Sequence, residues 1–253
     1  HFCEEGVAAP AACSAGSYQD DTSSSDPACK VCPAGSYCTA ASVGPVECGA
    51  GYFSAAGAST CSQCTAGYYC DAPIAVTESA MLASKSCAAG LYCPAGVAVV
   101  PSLQDHACPV GNYCPEATAD PIPCAPGTYN PVVGKGSQSD CLTCEAGSFC
   151  SGGLSATDGL CEPGYYCEAG SSGPQQTACP AGTYNGESGK EMEAHCAVCP
   201  TGSFCPVASI APTECTRGNY CVYASSAAEP CPIGTYGSTT GLRRVEDCTN
   251  CDP

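Results

Sequence analysis

Five pairs of cysteines stand at Cys-x-x-Cys spacing, and this pattern could most directly do chemistry. Two thiolates at this spacing can bind zinc or cycle between dithiol and disulfide. A zinc site takes four ligands, yet the chain has three histidines, His1, His106 and His195, and every pair belongs to one continuous series of cysteines. Redox chemistry needs a thiolate activated by a helix terminus or a basic neighbour, and neither is evident. We therefore interpret these cysteines as members of disulfides rather than as a metal or redox site. The five pairs are Cys29 and Cys32, Cys61 and Cys64, Cys141 and Cys144, Cys196 and Cys199, and Cys248 and Cys251.

The composition is that of a disulfide scaffold. The 253 residues include 28 cysteines, 29 glycines and 22 prolines, with no Trp and two Met. Such cysteine usage is typical of an oxidising compartment, where disulfides replace an apolar core. We expect a secreted or extracellular protein, at the cell surface or in an extracellular filament.

The charge excludes nucleic acid as a partner. Lys and Arg number 7 against 24 Asp and Glu, so the formal net charge is −17 and no basic patch neutralises phosphates. The longest strongly aliphatic patch, residues 97–100, is far shorter than the roughly 18 to 20 residues that span a bilayer. We expect no membrane span in this chain and a solvated acidic surface.

One motif, Cys-x-x-Gly-x-(Tyr/Phe), occurs thirteen times. Each copy is called a repeat here and is named by its first cysteine. In eight short repeats a cysteine directly follows the aromatic residue; these begin at Cys32, Cys64, Cys87, Cys108, Cys144, Cys161, Cys199 and Cys215. In five long repeats a polar loop precedes the second cysteine, giving the pairs Cys13 and Cys29, Cys48 and Cys61, Cys124 and Cys141, Cys179 and Cys196, and Cys231 and Cys248.

The repeats group into larger units that each open with a long repeat. We interpret 1–12 as the end of a preceding unit, 13–47 as a unit with one short repeat, 48–123 as one with three, 124–178 and 179–230 as two with the same order, and 231–253 as the start of another. We hypothesise that the chain is one stretch of a longer array. An intact native molecule of only about 25 kDa would contradict this.

The predicted fold class is small disulfide-rich repeats forming an elongated rod of short β-hairpins and turns with very little helix. Glycine and proline punctuate every segment, which favours strand pairs of roughly two to four residues. Only 77–85 has a helical composition, sufficient for a turn or two. The glycine of each repeat suits a positive φ or a close backbone approach. We expect the aromatic ring of each repeat to cover a disulfide, and for this role we single out Tyr18, Tyr37, Tyr129, Phe149, Tyr184 and Phe204.

Three disulfide pairings are compatible with the spacing. The first joins each repeat's first cysteine to the next cysteine, as in Cys13–Cys29, Cys32–Cys38 and Cys179–Cys196. The second joins it to the preceding one, as in Cys3–Cys13, Cys29–Cys32 and Cys38–Cys48. The third crosses the bonds, as in Cys29–Cys38 and Cys32–Cys48. The second needs Cys-x-x-Cys disulfides, which are strained and reducible, so the first and third are favoured.

The stretch CPAGTYNGESGKEMEAHCAVC, which begins at Cys179, resembles the ephrin-receptor-like cysteine-rich repeats of extracellular proteins. It is also similar to the first module of tumour-necrosis-factor-receptor repeats, whose corresponding pairing implies Cys179–Cys196. The resemblance covers nearly the whole chain and implies an elongated, extracellular rod with a ladder of disulfides. The short repeats that end in Tyr-Cys or Phe-Cys depart from the receptor pattern, so no ligand-binding residues carry over.

These observations predict a non-catalytic extracellular structural protein, part of a filament, stalk or surface coat, without cofactors. Its partners would be further copies or neighbouring surface and matrix proteins. The alternative is a receptor or adhesion ectodomain, whose nearest candidates for a binding hot spot are Arg217 with Tyr220 and Tyr223, or Arg243 with Arg244.

The polar loops also offer acceptors for O-linked glycans, among them Ser23, Ser24, Thr239 and Thr240. Asn112 and Asn219 stand in the weak Asn-x-Cys variant of the N-glycosylation sequon, and we expect both to be bare because the cysteines would form disulfides.

Overall fold

The structure is a computed structural model that describes residues 12–20, 29–71, 82 and 85–251. Its strands are two residues long and pair as eleven antiparallel two-stranded sheets. The pairs are Ser17–Tyr18 with Lys30–Val31, Ser36–Tyr37 with Val46–Glu47, Tyr52–Phe53 with Ser62–Gln63, Asn112–Tyr113 with Ile122–Pro123, Thr128–Tyr129 with Leu142–Thr143, Ser148–Phe149 with Gly159–Leu160, Tyr165–Tyr166 with Thr177–Ala178, Thr183–Tyr184 with Ala197–Val198, Ser203–Phe204 with Thr213–Glu214, Asn219–Tyr220 with Glu229–Pro230, and Thr235–Tyr236 with Thr249–Asn250.

Each repeat is one hairpin. The aromatic residue lies on the outgoing strand, and the two residues before the next repeat form the return strand. In the Cys179 repeat, Thr183 faces Val198 and Tyr184 faces Ala197. Two short repeats have single antiparallel bridges instead, Tyr68 to Ser86 and Leu91 to Ala107. The prediction of very short strand pairs is confirmed.

Helix is sparse in the described chain. Three 3₁₀ turns, Gln138–Asp140, Glu193–His195 and Val245–Asp247, each directly precede the second cysteine of a long repeat. The fold class of small disulfide-rich repeats with very little helix is therefore confirmed. Most of the predicted helical segment 77–85 lies outside the described residues, as do Cys3, Ser23 and Ser24.

The glycine of every repeat has a positive φ, as predicted, between 79° at Gly111 and 90° at Gly90. A residue with a Cβ loses about 1–2 kcal/mol in this left-handed region. Glycine therefore lets the chain reverse directly after the first cysteine and enter the outgoing strand.

The buried interior consists of small groups built around sulfur. Phe53 packs with Cys64 and Cys70, and Tyr166 packs with Cys179 and Cys196. In both groups the ring of one repeat lies against the disulfide cysteines of the next. The apolar core is thus divided into small groups at separate places along the chain.

The chain divides into two compact units. Unit 1 comprises His1–Ile122 and Val132–Asp140, and unit 2 comprises Pro123–Pro131 and Cys141–Pro253. Within the described residues, no helix combines the length and apolar character needed to cross a bilayer.

Candidate functional site

Thirteen disulfides follow the first of the three pairings, and the second and third are wrong. The long repeats close as Cys13–Cys29, Cys48–Cys61, Cys124–Cys141, Cys179–Cys196 and Cys231–Cys248. The short repeats close as Cys32–Cys38, Cys64–Cys70, Cys87–Cys93, Cys108–Cys114, Cys144–Cys150, Cys161–Cys167, Cys199–Cys205 and Cys215–Cys221.

The return strand explains this pairing. In the pair Cys196–Cys199, the two intervening residues, Ala197 and Val198, form that strand. Side chains three residues apart on a strand point to opposite faces, so the two sulfurs diverge. Cys196 bonds back to Cys179 and Cys199 bonds forward to Cys205.

The Cys-x-x-Cys pairs therefore provide no dithiol for metal or redox chemistry in the described chain. Cys251 is the one free and exposed cysteine there, and its neighbour Cys248 is bonded to Cys231. No group of three or more His, Cys, Asp or Glu side chains among the described residues is arranged to hold a metal ion.

Consecutive repeats are joined by the same three backbone hydrogen bonds. At the joint between the Cys179 and Cys199 repeats, the Gly182 amide donates to the Cys205 carbonyl (2.8 Å), and the Cys199 amide donates to the Gly182 carbonyl (2.9 Å). The Ala208 amide donates to the Cys179 carbonyl (3.0 Å). Since these bonds involve backbone groups, the joint is independent of most side chains.

A second contact connects each repeat with the second one along the chain. A Cβ added at Gly182 would lie 2.5 Å from the carbonyl oxygen of Ala224, and one added at Gly202 would lie 2.7 Å from that of Gly241. No real Cβ tolerates such a distance to a backbone atom. The glycine is therefore needed for its positive φ and for this close approach.

The oxygen that makes this contact belongs to a second left-handed position. It is occupied by glycine in some repeats and by alanine in four, namely Ala41, Ala117, Ala208 and Ala224, with φ between 59° and 62°. The sequence analysis missed this position because alanine gives no sign of a positive φ.

Four of the five long repeats carry a buried polar residue where short repeats have their second cysteine: Gln19, Ser54, Asn130 and Asn185. Asn185, 3% exposed, donates from Nδ2 to the Tyr165 carbonyl (3.1 Å) and accepts at Oδ1 from the Glu187 amide (3.0 Å). It thus links two repeats by hydrogen bonds and starts the loop. Its fixed offset after the aromatic residue was the available sequence signal.

An open groove of about 590 Å³ brings together part of the predicted hot spot. It is lined by Thr201, Val222, Tyr223, Arg243, Arg244 and Asp247. Tyr223 is 65% exposed. The structure therefore gathers Tyr223 with Arg243 and Arg244, whereas Arg217 and Tyr220 are not part of this lining.

The loop 238–247 supplies Arg243, Arg244 and Asp247 to the lining of the groove, and Asp247 fixes the conformation of this loop. The Arg243 amide donates to Asp247 Oδ2 (2.9 Å), and the Arg244 guanidinium pairs with Asp247 Oδ1 (3.2 Å). These bonds, the backbone amide first, hold the pKa of the Asp247 carboxyl below its ordinary value. The Arg243 stem lies against Gly202, since a Cβ there would be 3.4 Å from Arg243 Cγ.

The equivalent loop of the Cys179 repeat, residues 186–195, has the same construction with acidic side chains. The Glu191 amide donates to His195 Nδ1 (3.3 Å), and Glu191 Cγ would lie 3.3 Å from a Cβ on Gly147. The pKa of Tyr166 is raised by burial, and then by the charges of Glu193 and Glu168. Both carboxylates therefore lie near this ring.

The remaining predicted residues are distributed along the hairpins. Thr239 and Thr240 are exposed, and their glycosylation stays a prediction. The six singled-out rings are half-buried: Tyr18, Tyr37, Tyr129, Phe149, Tyr184 and Phe204.

The cysteines after Asn112 and Asn219 lie in disulfides, Cys108–Cys114 and Cys215–Cys221, as expected. His106 is half-buried, with its ring edge-to-face against Tyr92 at 6.5 Å between centroids. His195 is exposed, and its Nδ1 accepts the hydrogen bond from the Glu191 amide within the loop.

No protein-family model matches the chain, and no curated protein matches it. The resemblance to ephrin-receptor-like repeats therefore depends on the sequence motif alone.

Proposed function

We propose that the chain is a non-catalytic extracellular structural protein, an array of disulfide-closed repeats that contributes to a filament, stalk or surface coat. The supporting observation is the uniform joint, which recurs in both compact units with the same backbone hydrogen bonds. Repeats that contact only their near neighbours make a scaffold whose length follows from their number. The partners on this proposal are further copies or neighbouring surface and matrix proteins.

The disulfides support an extracellular setting. Thirteen of them stabilise hairpins whose strands are two residues long. Such segments bury too little apolar surface to fold by themselves, and disulfides of this density persist in oxidising compartments.

Imaging of the native molecule tests the proposal. Negative-stain micrographs of native material should show regular polymers, and cross-linking followed by mass spectrometry should join the chain to itself or to neighbouring matrix proteins. Isolated molecules bound in fixed ratio to one partner would overturn it.

The groove favours a second candidate, a receptor or adhesion ectodomain. An exposed tyrosine beside two arginines has the composition of a binding hot spot. On this reading, a single protein partner would bind the 253-residue chain, and Tyr223→Ala would abolish that binding while leaving the disulfides intact.

A further inference from the structure

The groove contains a cation, Arg243, that forms no ion pair with any other described residue. Five of the seven basic residues form ion pairs: Lys30 with Asp20, Lys85 with Asp71, Lys135 with Asp140, Lys190 with Glu187, and Arg244 with Asp247. In the part of the chain that the structure describes, Arg217 and Arg243 form none. Of these two arginines, Arg243 lines the groove together with exposed Tyr223, and Arg217 does not. A guanidinium there can bind a carboxylate through two parallel hydrogen bonds.

The acidic loop 186–195 is the structural counterpart of this basic loop. Glu191 and Arg243 each stand twelve residues after the first cysteine of their repeat and pack against the glycine two repeats earlier. Lys190 pairs with Glu187, while exposed Glu191 and Glu193 form no ion pair within the described residues. The chain thus presents opposite charges at two positions of the same backbone.

We propose that the loop 238–247 of one copy binds the loop 186–195 of a second copy, with Arg243 receiving Glu191 and Glu193. This rests on the proposed structural function and names the partner surface for self-association. Charge complementarity selects a second copy, since a chain of net charge −17 carries this basic groove. The exposed Tyr223 and Met192 supply apolar contact beside the charges.

The proposed contact can join one copy to the next and so build a polymer. Each copy carries both the loop 186–195 and the loop 238–247, so the interface is heterologous, and such contacts build open polymers unless a ring closes. Two loops bury less than a standard interface, so each contact is weak. Exposed ion pairs are screened by salt, so self-association must weaken as the ionic strength rises.

The test is sedimentation of the oxidised 253-residue chain over a range of concentrations, in about 20 mM and about 300 mM NaCl, where the screening length differs severalfold. Wild type should self-associate and do so more weakly at high salt. Arg243→Glu should weaken association by about tenfold or more, because like charges then face each other. Arg217→Glu makes the same charge change at an exposed arginine outside the groove and should behave as wild type.

The decisive experiment mixes two variants that reverse the charge on opposite sides of the proposed contact. Arg243→Glu places a glutamate opposite Glu191 and Glu193, and Glu191→Arg with Glu193→Arg places two arginines opposite Arg243, so neither preparation should associate alone. An equal mixture should associate again, since every contact is then between opposite charges.

Association that survives Arg243→Glu, or a mixture that stays monomeric, overturns this inference and leaves the structural function standing. A wild-type chain that stays monomeric at low salt also overturns it. The structural function is judged separately, by the imaging of native material.

Discussion

Residues 186–195 and 238–247 are loops of equal length at the same place in two long repeats, and they share a backbone but not a chemistry. Both end in a 3₁₀ turn, and in both an amide donates to the side chain just before the second cysteine. Among the described residues, Glu191 and Glu193 of the first loop and Arg243 of the second form no ion pair. The hairpin, its disulfide and the side chain before the second cysteine therefore determine the path of the loop, and the exposed side chains can differ in charge.

The two repeats also differ in how they are held. The loop 186–195 follows buried Asn185, whereas its counterpart follows Gly237, which has no side chain to bond. Gly182 lies under the Ala224 carbonyl, whereas Gly234 has nothing within 4 Å of its Cβ position among the described residues. A comparison of these two repeats therefore distinguishes the residues that the hairpin needs from those that the stacking of repeats needs.

The largest expected difference is between Gly182→Ala and Gly234→Ala. Both replace a glycine of positive φ, 87° and 88°. Gly234→Ala should lower the free energy of unfolding by about 1–2 kcal/mol through backbone strain alone. Gly182→Ala should cost about 4 kcal/mol, because overpacking against Ala224 adds to that strain. Denaturant unfolding of the oxidised chain measures both, and equal losses would show that the close approach is unimportant.

The disulfides that close the Cys179 and Cys231 repeats should differ in how fast they are reduced. Cys179–Cys196 and Cys231–Cys248 close loops of the same sequence separation, 17, so each contributes about 3 kcal/mol through chain entropy. Both cysteines of the first are buried, whereas those of the second are half-buried. Limited reduction followed by alkylation and mass spectrometry should label Cys231 and Cys248 before Cys179 and Cys196. Prior labelling of Cys179 would contradict the burial argument.

Asn185→Ala should destabilise the acidic loop by about 2 kcal/mol, since it removes two hydrogen bonds, one to the Tyr165 carbonyl and one from the Glu187 amide. Hydrogen exchange of the amides in 186–195 should accelerate, while exchange in 238–247 stays unchanged. Ser188→Ala, in an exposed position of the same loop, is the matched control and should have no effect. Unchanged exchange in Asn185→Ala would remove its role as anchor.

The smallest effect concerns pH. The pKa of Asp247 is lowered in the folded chain, so its contribution to stability is present above its ordinary value of 3.8 and is lost as the pH falls through the lower folded pKa. An NMR titration of the Arg243 amide should have its midpoint below 3.8, and Asp247→Asn should remove the step. A midpoint above 3.8 would mean that the hydrogen bonds do not favour the carboxylate.

The hairpins could be predicted because their determinants are local. Glycine at a fixed offset, an aromatic residue and a cysteine recur at every repeat, and each acts within its own hairpin. The pairing of cysteines remained open, since spacing alone does not tell which face of the return strand a sulfur occupies. Once Ala197 and Val198 are known to form that strand, a bond between Cys196 and Cys199 is excluded.

Stacking could not be predicted, because it depends on residues that are ordinary in the sequence. Ala208 and Ala224 have φ angles of 59° and 62°, a conformation that alanine rarely adopts and that its presence in a sequence does not indicate. The same holds for the groove: Tyr223 and Arg243 were both candidates, but only the fold brings them together without Arg217.

The disulfide at the base of each long hairpin has a mechanical consequence. When the chain is pulled along its length, tension passes from Cys179 through the sulfurs to Cys196, and the intervening residues carry no load. The charged loops 186–195 and 238–247 therefore lie off the load path. They can bind, exchange residues or acquire glycans without changing how far the array extends under force.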